Sequence, residues 1–242
     1  MKIKSSNSIR GVTLVEIAIV LVIIGLLLGG ILKGQELINN AKVRSIADRQ
    51  NSLKVAWFAF IDRFQALPGD YVYAAQYIPG ATNGEGNGLI TQKESPVVFQ
   101  HLTGSGYLRC PQCTVKTLDQ TPSARNSLQN QYGGVMAIFH DATYYAAKGG
   151  QNSRLLIHTG ARIPSNIISE VDRKLDDGIA NTGDFRFNSY DAGGSQPAVG
   201  NCLTTSQASQ VNGSLNTETN TWYRHANATP PVEQNCGGSV AI

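Results

Sequence analysis

The feature that most constrains this chain is an apolar run near its N-terminus, residues 12–32, in which Glu16 is the one charged side chain. A helix of roughly 20 residues spans the hydrocarbon core of a bilayer, which is about 30 Å thick. The run is longer than the apolar stretch of a secretory signal peptide, and no small-residue cleavage pattern closes it. It therefore predicts a single membrane-spanning helix.

The charges around the run are asymmetric. Lys2, Lys4 and Arg10 precede it, no acidic residue lies among the positions before the run, and these three residues account for the whole formal charge of +3. An excess of basic residues on this side places the N-terminus in the cytoplasm and exports the chain that follows Lys33. Because the remaining charges balance, the electrostatic term that supplies most non-specific affinity for nucleic acid is missing. No nucleic-acid partner is expected.

Glu16 is an acid at a position where a bilayer interior is expected. An ionised carboxylate costs several kcal/mol near the centre of a bilayer and less near its surface, so intramembrane acids usually have a partner. One interpretation places Glu16 at the headgroup boundary, where the cost is small. The other gives it a positive partner, the amino group that cleavage between Gly11 and Val12 would create on Val12 of a neighbouring subunit.

The segment Gly11-Val12-Thr13-Leu14-Val15-Glu16 follows a short basic leader and opens the apolar run. It resembles the class III signal of type IV pilins and type II secretion pseudopilins. The resemblance implies that a membrane-embedded prepilin peptidase cuts after Gly11 and methylates the new amino group of Val12, and that Glu16 recruits and aligns subunits in a growing filament. Two positions depart from the family pattern: Val12 stands where Phe is usual, and Lys33 stands where many pilins have proline.

The function that the resemblance implies is structural. The chain would be a subunit of a type IV pilus or of a type II secretion pseudopilus. It would be made as an inner-membrane precursor with its head in the periplasm or outside the cell, and would then enter a periplasmic or extracellular filament. Its partners would be the prepilin peptidase, other copies or related pilins, the inner-membrane assembly platform and, before assembly, membrane lipid. The alternative is an exported adhesin or binding module on a simple membrane anchor.

The predicted helix continues beyond the membrane. Apolar residues recur at steps of three and four as far as Phe64, and charged residues occupy the other faces. Leu67-Pro68-Gly69-Asp70 predicts a stop, which gives a helix of roughly 55 residues, about 80 Å long. We therefore divide the chain into a cleaved leader at 1–11, a transmembrane or filament-core helix at 12–34, an amphipathic continuation at 35–67 and a globular head at 68–242.

Beyond Pro68 the pattern changes to short segments that are broken by glycine. Helices are predicted over residues 71–78, 97–102 and 164–175, and strands over residues 132–139 and 154–157. Ser165 is predicted to cap the last of these helices and Gly178 to end it. The elements predict an α+β fold in which an antiparallel sheet of the head packs on the second half of the long helix. Type IV pilin-like heads share this plan.

The cysteines, four in number, all lie in the head, where export favours disulfides over free thiols. They allow three pairings, and we favour Cys110 with Cys113 and Cys202 with Cys236. The second would close a C-terminal loop like the one that is disulfide-bonded in many pilins, with a loop-closure free energy of about 3–4 kcal/mol. The rival interpretation gives the Cys110–Cys113 segment a zinc or redox role, for which neither a second ligand pair nor a thioredoxin-like βαβ pattern is visible.

Two acidic groups are candidates for a structural calcium ion, since calcium prefers several oxygen ligands on a backbone that can bend. The first is the glycine-rich loop 83–88, whose charged residue Glu85 would need Asp70 as a supplement. The second consists of Asp172, Asp176 and Asp177, and calcium stabilises the heads of some pseudopilins. A flexible loop and an acidic helix end followed by an Asp-Gly turn are the favoured interpretations, so no cofactor is expected.

Nothing in the sequence favours an enzyme. The histidines lack metal-ligand spacing, and no G-x-S-x-G nucleophile motif occurs. The glycines of loop 83–88 lack the preceding strand and the Gly-Lys-Ser/Thr ending of a phosphate loop. The histidines are His101, His140, His158 and His225.

Overall fold

The structure is a computed structural model, which describes residues 13–142, 153–205, 220–222 and 235–242. The predicted processing residues Gly11 and Val12 lie outside these ranges, as does His225. The chain separates into two compact units, Met1–Ala41 and Lys42–Ile242. Each unit is described by itself.

The first unit contains the N-terminal part of α1, a helix of 51 residues that runs Leu14–Phe64. Thr13 caps it, because the backbone N–H of Glu16 donates to Thr13 Oγ1 at 3.3 Å and so satisfies one free amide of the first turn. Every described residue up to Leu32 is exposed, and the apolar side chains cover all sides of the helix. By length and composition, this part of α1 is able to cross a membrane.

In the second unit, one side of α1 belongs to the core. Its buried residues recur at three- and four-residue steps: Val43, Ile46, Ala47, Gln50, Leu53, Ala56, Trp57 and Phe60. Burial thus begins at Val43, later than residue 35, where the amphipathic continuation was predicted. Gln65 adopts a left-handed conformation, with φ of 52°, directly after the helix ends.

The rest of the second unit completes an α+β fold, as predicted. The elements after α1 are α2 (Ala74–Tyr77), α3 (Ser95–Gly104), β1 (Ala137–Asp141), β2 (Arg154–His158), α4 (Ser165–Leu175), β3 (Phe185–Phe187), α5 (Val199–Cys202), β4 (Leu203–Thr205), β5 (Asn220–Trp222) and β6 (Gly238–Ala241). A four-stranded antiparallel sheet has the order β1-β2-β6-β3, and β4 pairs separately with β5. The C-terminal strand β6 therefore lies inside the sheet.

One face of this sheet belongs to the same apolar cluster as α1. Ile138 and Ile157 are register partners on β1 and β2, and both are fully buried together with Trp57 and Phe60. Because side chains alternate along a strand, the residues directly before and after each isoleucine point to the other face of the sheet. The face of the sheet that carries the two isoleucines thus shares its core with α1, and the opposite face has a different composition.

The predicted strand 132–139 begins only at Ala137, because Asn130 holds the residues before it in a turn. Asn130 Oδ1 accepts the backbone N–H groups of Tyr132 and Gly134 at 2.8 and 3.0 Å. Its Nδ2 donates to the carbonyls of Thr159 and Ala161 at 3.0 and 2.9 Å. All four bonds are made by one amide that is 8% exposed, so Asn130 joins this turn to the segment after β2.

The predicted cap of α4 is wrong. Pro164, with φ of −59° and ψ of 141°, occupies the N-cap position, and α4 already includes Ser165. Ser165 Oγ is buried and has no hydrogen-bond partner among the described residues. At the other end Asp176 is the C-cap, and Gly178 follows with φ of 79°, a left-handed conformation that glycine adopts without strain.

We expect Asn130→Ala to lower the free energy of unfolding by about 2–4 kcal/mol, because it removes four hydrogen bonds and leaves buried backbone groups unpaired. Asn130→Asp keeps an acceptor for Tyr132 and Gly134 but turns an oxygen toward two carbonyls, so it should destabilise at least as much. Chemical denaturation of both variants measures the effect. Asn51→Ala, on the exposed side of α1, is the matched control. Near-native stability of Asn130→Ala would contradict this role.

Candidate functional site

The exposed apolar helix of the first unit, headed by Glu16, is the main candidate site. Glu16 lies in the first turn of α1, where the positive end of the helix dipole favours a carboxylate. Thr13-Leu14-Val15-Glu16 also has the spacing of a capping box, in which the acid reaches back to the N–H of the capping residue. The structure contains the half of that box in which Thr13 Oγ1 accepts the Glu16 N–H.

The charge and hydropathy pattern of the sequence did not predict that Thr13 caps α1. The signal was local: a threonine three residues before a glutamate at the start of a helix. It means that Glu16 has two candidate roles, one as a helix-capping residue and one as a charge with a partner on another chain. Gln can replace Glu in a capping box but cannot replace its charge, so the two roles are separable.

Glycines within α1 form a second feature of this unit. At Gly25, Gly29, Gly30 and Gly34, an added Cβ would meet no atom within 4 Å. Packing against the described residues therefore does not require glycine at these positions. Small residues on an apolar helix allow another helix to approach closely.

The loop 83–88 folds around Asp70. The backbone N–H groups of Asn87 and Gly88 donate to Asp70 Oδ1 and Oδ2 at 3.0 and 2.8 Å, and Gly86 N–H donates to the Asp70 carbonyl at 3.1 Å. Gly84 is needed here, since a Cβ at this position would lie 2.5 Å from Asp70 Cα. The loop therefore directs N–H donors at the carboxylate, whereas a calcium loop directs oxygens at a cation.

Glu85 does not join Asp70 in a ligand set. Its Oε2 accepts a hydrogen bond from Asn87 Nδ2 at 3.0 Å. In the described part of the chain, Asp70 and Glu85 do not belong to a group of three or more metal-ligating side chains. Asp70 instead holds the loop against the residues that follow α1.

His101 on α3 contacts the residues that precede Asp70 and loop 83–88. Its Nδ1 accepts the Gly69 N–H at 2.9 Å, and its Nε2 lies 2.7 Å from the Thr82 carbonyl, which requires the tautomer with the proton on Nε2. Burial lowers the pKa of His101, although the bond to Thr82 opposes the shift. The neutral ring thus serves as a structural link between two loops.

The second acidic group does come together. Ligand oxygens of Asp172, Asp176 and Asp177 lie within 4.8 Å of one another at the end of α4. These residues could hold a cation through their carboxylates. Each carboxylate also accepts hydrogen bonds from the protein: Asp176 Oδ2 accepts the N–H groups of Asp184 and Phe185, and Asp177 Oδ2 accepts the Thr182 hydroxyl at 2.5 Å.

Asp172 is the buried member of this group. Trp222 Nε1–H donates to its Oδ2 at 2.5 Å, and Gly178 N–H donates to its Oδ1 at 3.3 Å. Burial raises the pKa of Asp172 to about 7, and the negative charges of Asp177 and Asp176 add to the shift, while the bonds from Trp222 and Gly178 oppose it. The carboxyl group is therefore partly protonated at neutral pH.

Both disulfides favoured from the sequence are present, Cys110–Cys113 and Cys202–Cys236. All four cysteines are buried. Since each sulfur is bonded to another, no cysteine thiolate is left to bind zinc. The second bond joins the end of α5 to the residue two positions before β6, across a sequence separation of 34.

No protein-family model matches this chain, and comparisons with curated proteins and with solved structures also yield no match.

We expect Asp172→Asn to change how stability depends on pH. The folded-state pKa of Asp172, about 7, exceeds the ordinary value of 3.8, so its contribution is fully present below pH 3.8 and is lost as pH rises through 7. Asparagine cannot ionise, so between pH 3.8 and pH 7 the free energy of unfolding of the variant should rise by about 2 kcal/mol relative to that of the wild type. This gain is smaller than the full pKa shift implies, because solvent reaches the neighbouring acids and screens their charges. Denaturation curves at several pH values measure this gain.

Asp119→Asn is the control, because this exposed acid pairs with Lys93 on another part of the head, and its pH dependence should follow that of the wild type. Parallel curves for Asp172→Asn and the wild type would contradict the raised pKa. Repeating the measurement with calcium chloride separates the two interpretations of the cluster. A bound cation would raise the melting temperature of the wild type at neutral pH, and an ordinary acidic helix end would not respond.

Proposed function

We propose that this chain is a structural subunit of a type IV pilus or a type II secretion pseudopilus, made as a prepilin and assembled through α1. The observation that carries this proposal is the part of α1 from Leu14 to Leu32, which is apolar on all sides, is exposed throughout the described residues and has Glu16 in its first turn. Cleavage between Gly11 and Val12 would give this helix a free amino end.

The exposed surface of α1 supports a role inside a larger assembly. Burial of a large aliphatic side chain is worth about 1.5–3 kcal/mol relative to water. The exposed side chains between Leu14 and Leu32 therefore demand an apolar environment on every side of the helix. Membrane lipid supplies it for the precursor, and the helices of other subunits supply it in the filament.

Glu16 supports a specific arrangement of those helices. In an environment without water, its carboxylate needs a positive partner, and the amino group of Val12 on a neighbouring subunit is one. An unpaired buried charge costs several kcal/mol, so subunits that slide out of register are disfavoured. The pair thus fixes the axial position of each new subunit as it leaves the membrane.

The part of α1 in the second unit adds a further contact surface. Val55 and Phe58 are 68% and 56% exposed, and their spacing of three places them on one face of the helix. In a filament, neighbouring subunits would cover this face. In an isolated membrane-anchored head it would remain in water.

The remaining features fit an exported subunit without a reaction of its own. Disulfides form and persist in oxidising compartments outside the cytoplasm. The proposed partners are the prepilin peptidase, the inner-membrane assembly platform and other copies or related pilins, and no cofactor takes part. The final location is a periplasmic or extracellular filament.

The alternative function is an exported adhesin or binding module that uses α1 only as an anchor. In that case any apolar helix of this length would serve, and the charge of Glu16 would be dispensable. The two functions therefore differ in their dependence on one carboxylate.

Processing is tested by expressing the full chain with and without a prepilin peptidase and determining the N-terminal residue by mass spectrometry. We expect a chain that begins at a methylated Val12 only when the peptidase is present. Gly11→Val should block the cut, because the resemblance assigns the cleavage address to this glycine. A chain that still begins at Met1 with active peptidase, or that begins well past residue 34, contradicts the proposal.

Assembly is tested with Glu16→Gln, which retains a capping side chain but removes the charge. We expect the variant to be inserted and cleaved normally, while its yield in filaments sheared from cells falls at least about tenfold, as for a buried charge that loses its partner. Thr13→Ala removes the cap and keeps the charge, so it should assemble far better than Glu16→Gln.

Glu36→Gln is the matched control for this experiment. Glu36 pairs with Lys33 at 2.6 Å on an exposed part of α1 beyond the apolar run. Its loss removes the same charge without affecting the proposed contact, so assembly should be near normal. Normal filament yield from Glu16→Gln would favour the simple anchor.

A further inference from the structure

The face of the sheet that points away from α1 carries a buried polar group, the back-face cluster, which no part of the proposed function uses. It consists of Asp141, His158, Asn188, Tyr190 and Ser239. His158 and Ser239 are 0% exposed, and the remaining members are buried or half-buried. His158 is the centre of the cluster, since it contacts residues from both neighbouring strands and from the segment after β3.

The His158 ring is packed between two aromatic rings. Its centroid lies 4.2 Å from that of Phe139, nearly parallel to it, and 4.8 Å from that of Tyr190. Among the described residues, neither ring nitrogen has a hydrogen-bond partner, and neither do Ser239 Oγ and Tyr190 Oη. A buried polar atom without a partner costs about 1–3 kcal/mol, so the neutral cluster is poorly satisfied.

Two acceptors flank the ring. Asp141 Oδ2 lies 3.9 Å from His158 Nε2, just beyond hydrogen-bond distance. Ser239 is the register partner of His158 on β6. Because Thr159 N–H donates to the Gly238 carbonyl at the next position, His158 and Ser239 form a non-hydrogen-bonded pair, in which side chains lie closest.

The groups around the ring can hydrogen-bond to it in either charge state. A protonated ring has an N–H on each nitrogen, whereas a neutral ring has one and accepts a hydrogen bond on the other nitrogen. The protonated ring would donate to the carboxylate beside Nε2, and a hydroxyl on the facing strand can act as acceptor or donor for the other nitrogen. Burial opposes the charged ring, so the pair with Asp141 forms only in acid.

Asp141 Oδ2 already has a different partner. Asn188 Nδ2 donates to this same oxygen at 3.1 Å. Asn188 also organises the segment after β3, because its Oδ1 accepts the Tyr190 N–H at 2.7 Å and its own N–H donates to the Gly237 carbonyl at 3.1 Å. The bond to Asp141 therefore ties this segment to the end of β1.

We propose that the back-face cluster is an acid-sensitive latch: protonation of His158 draws Asp141 Oδ2 onto Nε2–H and releases the Asn188 side chain from β1. The proton comes from solvent and is shared between His158 and Asp141 in the closed pair, and no covalent bond changes. The segment that carries Asn188 and Tyr190 then loses this hydrogen bond to β1, while the contact of Tyr190 with Phe139 remains. The latch does not depend on whether the chain is a filament subunit or an anchored binding module.

Burial lowers the pKa of His158 to about 4, while the charge of Asp141 and the nearby Asn188 side chain oppose the shift. Above pH 6.5, the ordinary pKa of histidine, the ring is neutral in both the folded and the unfolded chain, so its titration does not change the free energy of unfolding. As pH falls from there toward 4, the unfolded chain takes up the proton first, so stability is lost, and the loss stops once the folded ring is protonated as well. The latch therefore changes state only in acid.

Other charged groups lie on the elements around the ring. Arg154 is the register partner of Asp141, Arg186 is the register partner of Ser239, and Asp191 follows Tyr190 and raises its pKa together with burial. In the described part of the chain, only Asp141 lies within 4.0 Å of His158 as an ion-pair partner. Asp141 is therefore the charge that governs the protonation of this ring.

The test follows His158 and Asn188 by NMR in the full chain, isotope-labelled and held in detergent micelles, from about pH 8 to about pH 3. His158→Gln identifies the ring signals, and near-ultraviolet circular dichroism reports the native fold in parallel. We expect the ring to titrate near pH 4 in the folded chain, with the Asn188 side-chain amide signals moving at the same midpoint.

Asp141→Asn should lower the His158 midpoint by about one pH unit or more and abolish the response of Asn188. Asp119→Asn is the matched control, since Asp119 is an exposed acid that pairs with Lys93 at 2.9 Å on another part of the head. It should change neither signal. If Asp141→Asn does not fold, Ser239→Ala is used instead, and it should lower the His158 midpoint while the Asn188 response remains.

Two results would overturn the latch. The first is protonation of His158 only as the near-ultraviolet signal collapses, which would mean that the proton enters by unfolding. The second is a folded chain in which His158 titrates and Asn188 does not respond, or in which neither Asp141→Asn nor Ser239→Ala moves the midpoint.

Discussion

The molecule depends on a helix whose apolar N-terminal surface is not covered by any of the described residues. From Leu14 to Leu32, α1 exposes apolar side chains in every direction, whereas from Val43 onward the same helix turns one side into the core of the head. Its two parts therefore require different solvents, one apolar all round and one apolar on a single side.

Three carboxylates illustrate how the surroundings, and not the residue type, determine a role. Glu16 lies in the first turn of an apolar helix, and no ion-pair partner for it is found among the described residues. Asp70 is surrounded by backbone N–H groups and closes a loop. Asp172 is buried beside the indole of Trp222 and the carboxylates at the end of α4, so its proton is held near neutral pH. The first is exposed, the second accepts hydrogen bonds from backbone N–H groups, and the third keeps its proton to a higher pH than a free carboxyl group does.

Features with local causes were predictable, and those with distant causes were not. The end of α1 before Pro68, the apolar side of α4 and the α+β class depend on neighbouring residues, and the structure agrees with them. The late start of β1 depends on bonds from Asn130 to Thr159 and Ala161, far along the chain. The back-face cluster requires the register between His158 and Ser239, which no local pattern encodes. The capping threonine was the exception, a local signal that hydropathy concealed.

The position of β6 has a consequence for how the protein is made. Among the described residues, Gly238–Ala241 form a strand that lies between β2 and β3, and β3 joins the sheet through them. The hairpin of β1 and β2 can form from residues that are near each other in the chain. The four-stranded sheet stays incomplete until residues 238–241 have been synthesised and have returned to β2. Completion of the sheet thus depends on a long-range contact, which is slower to form than the hairpin.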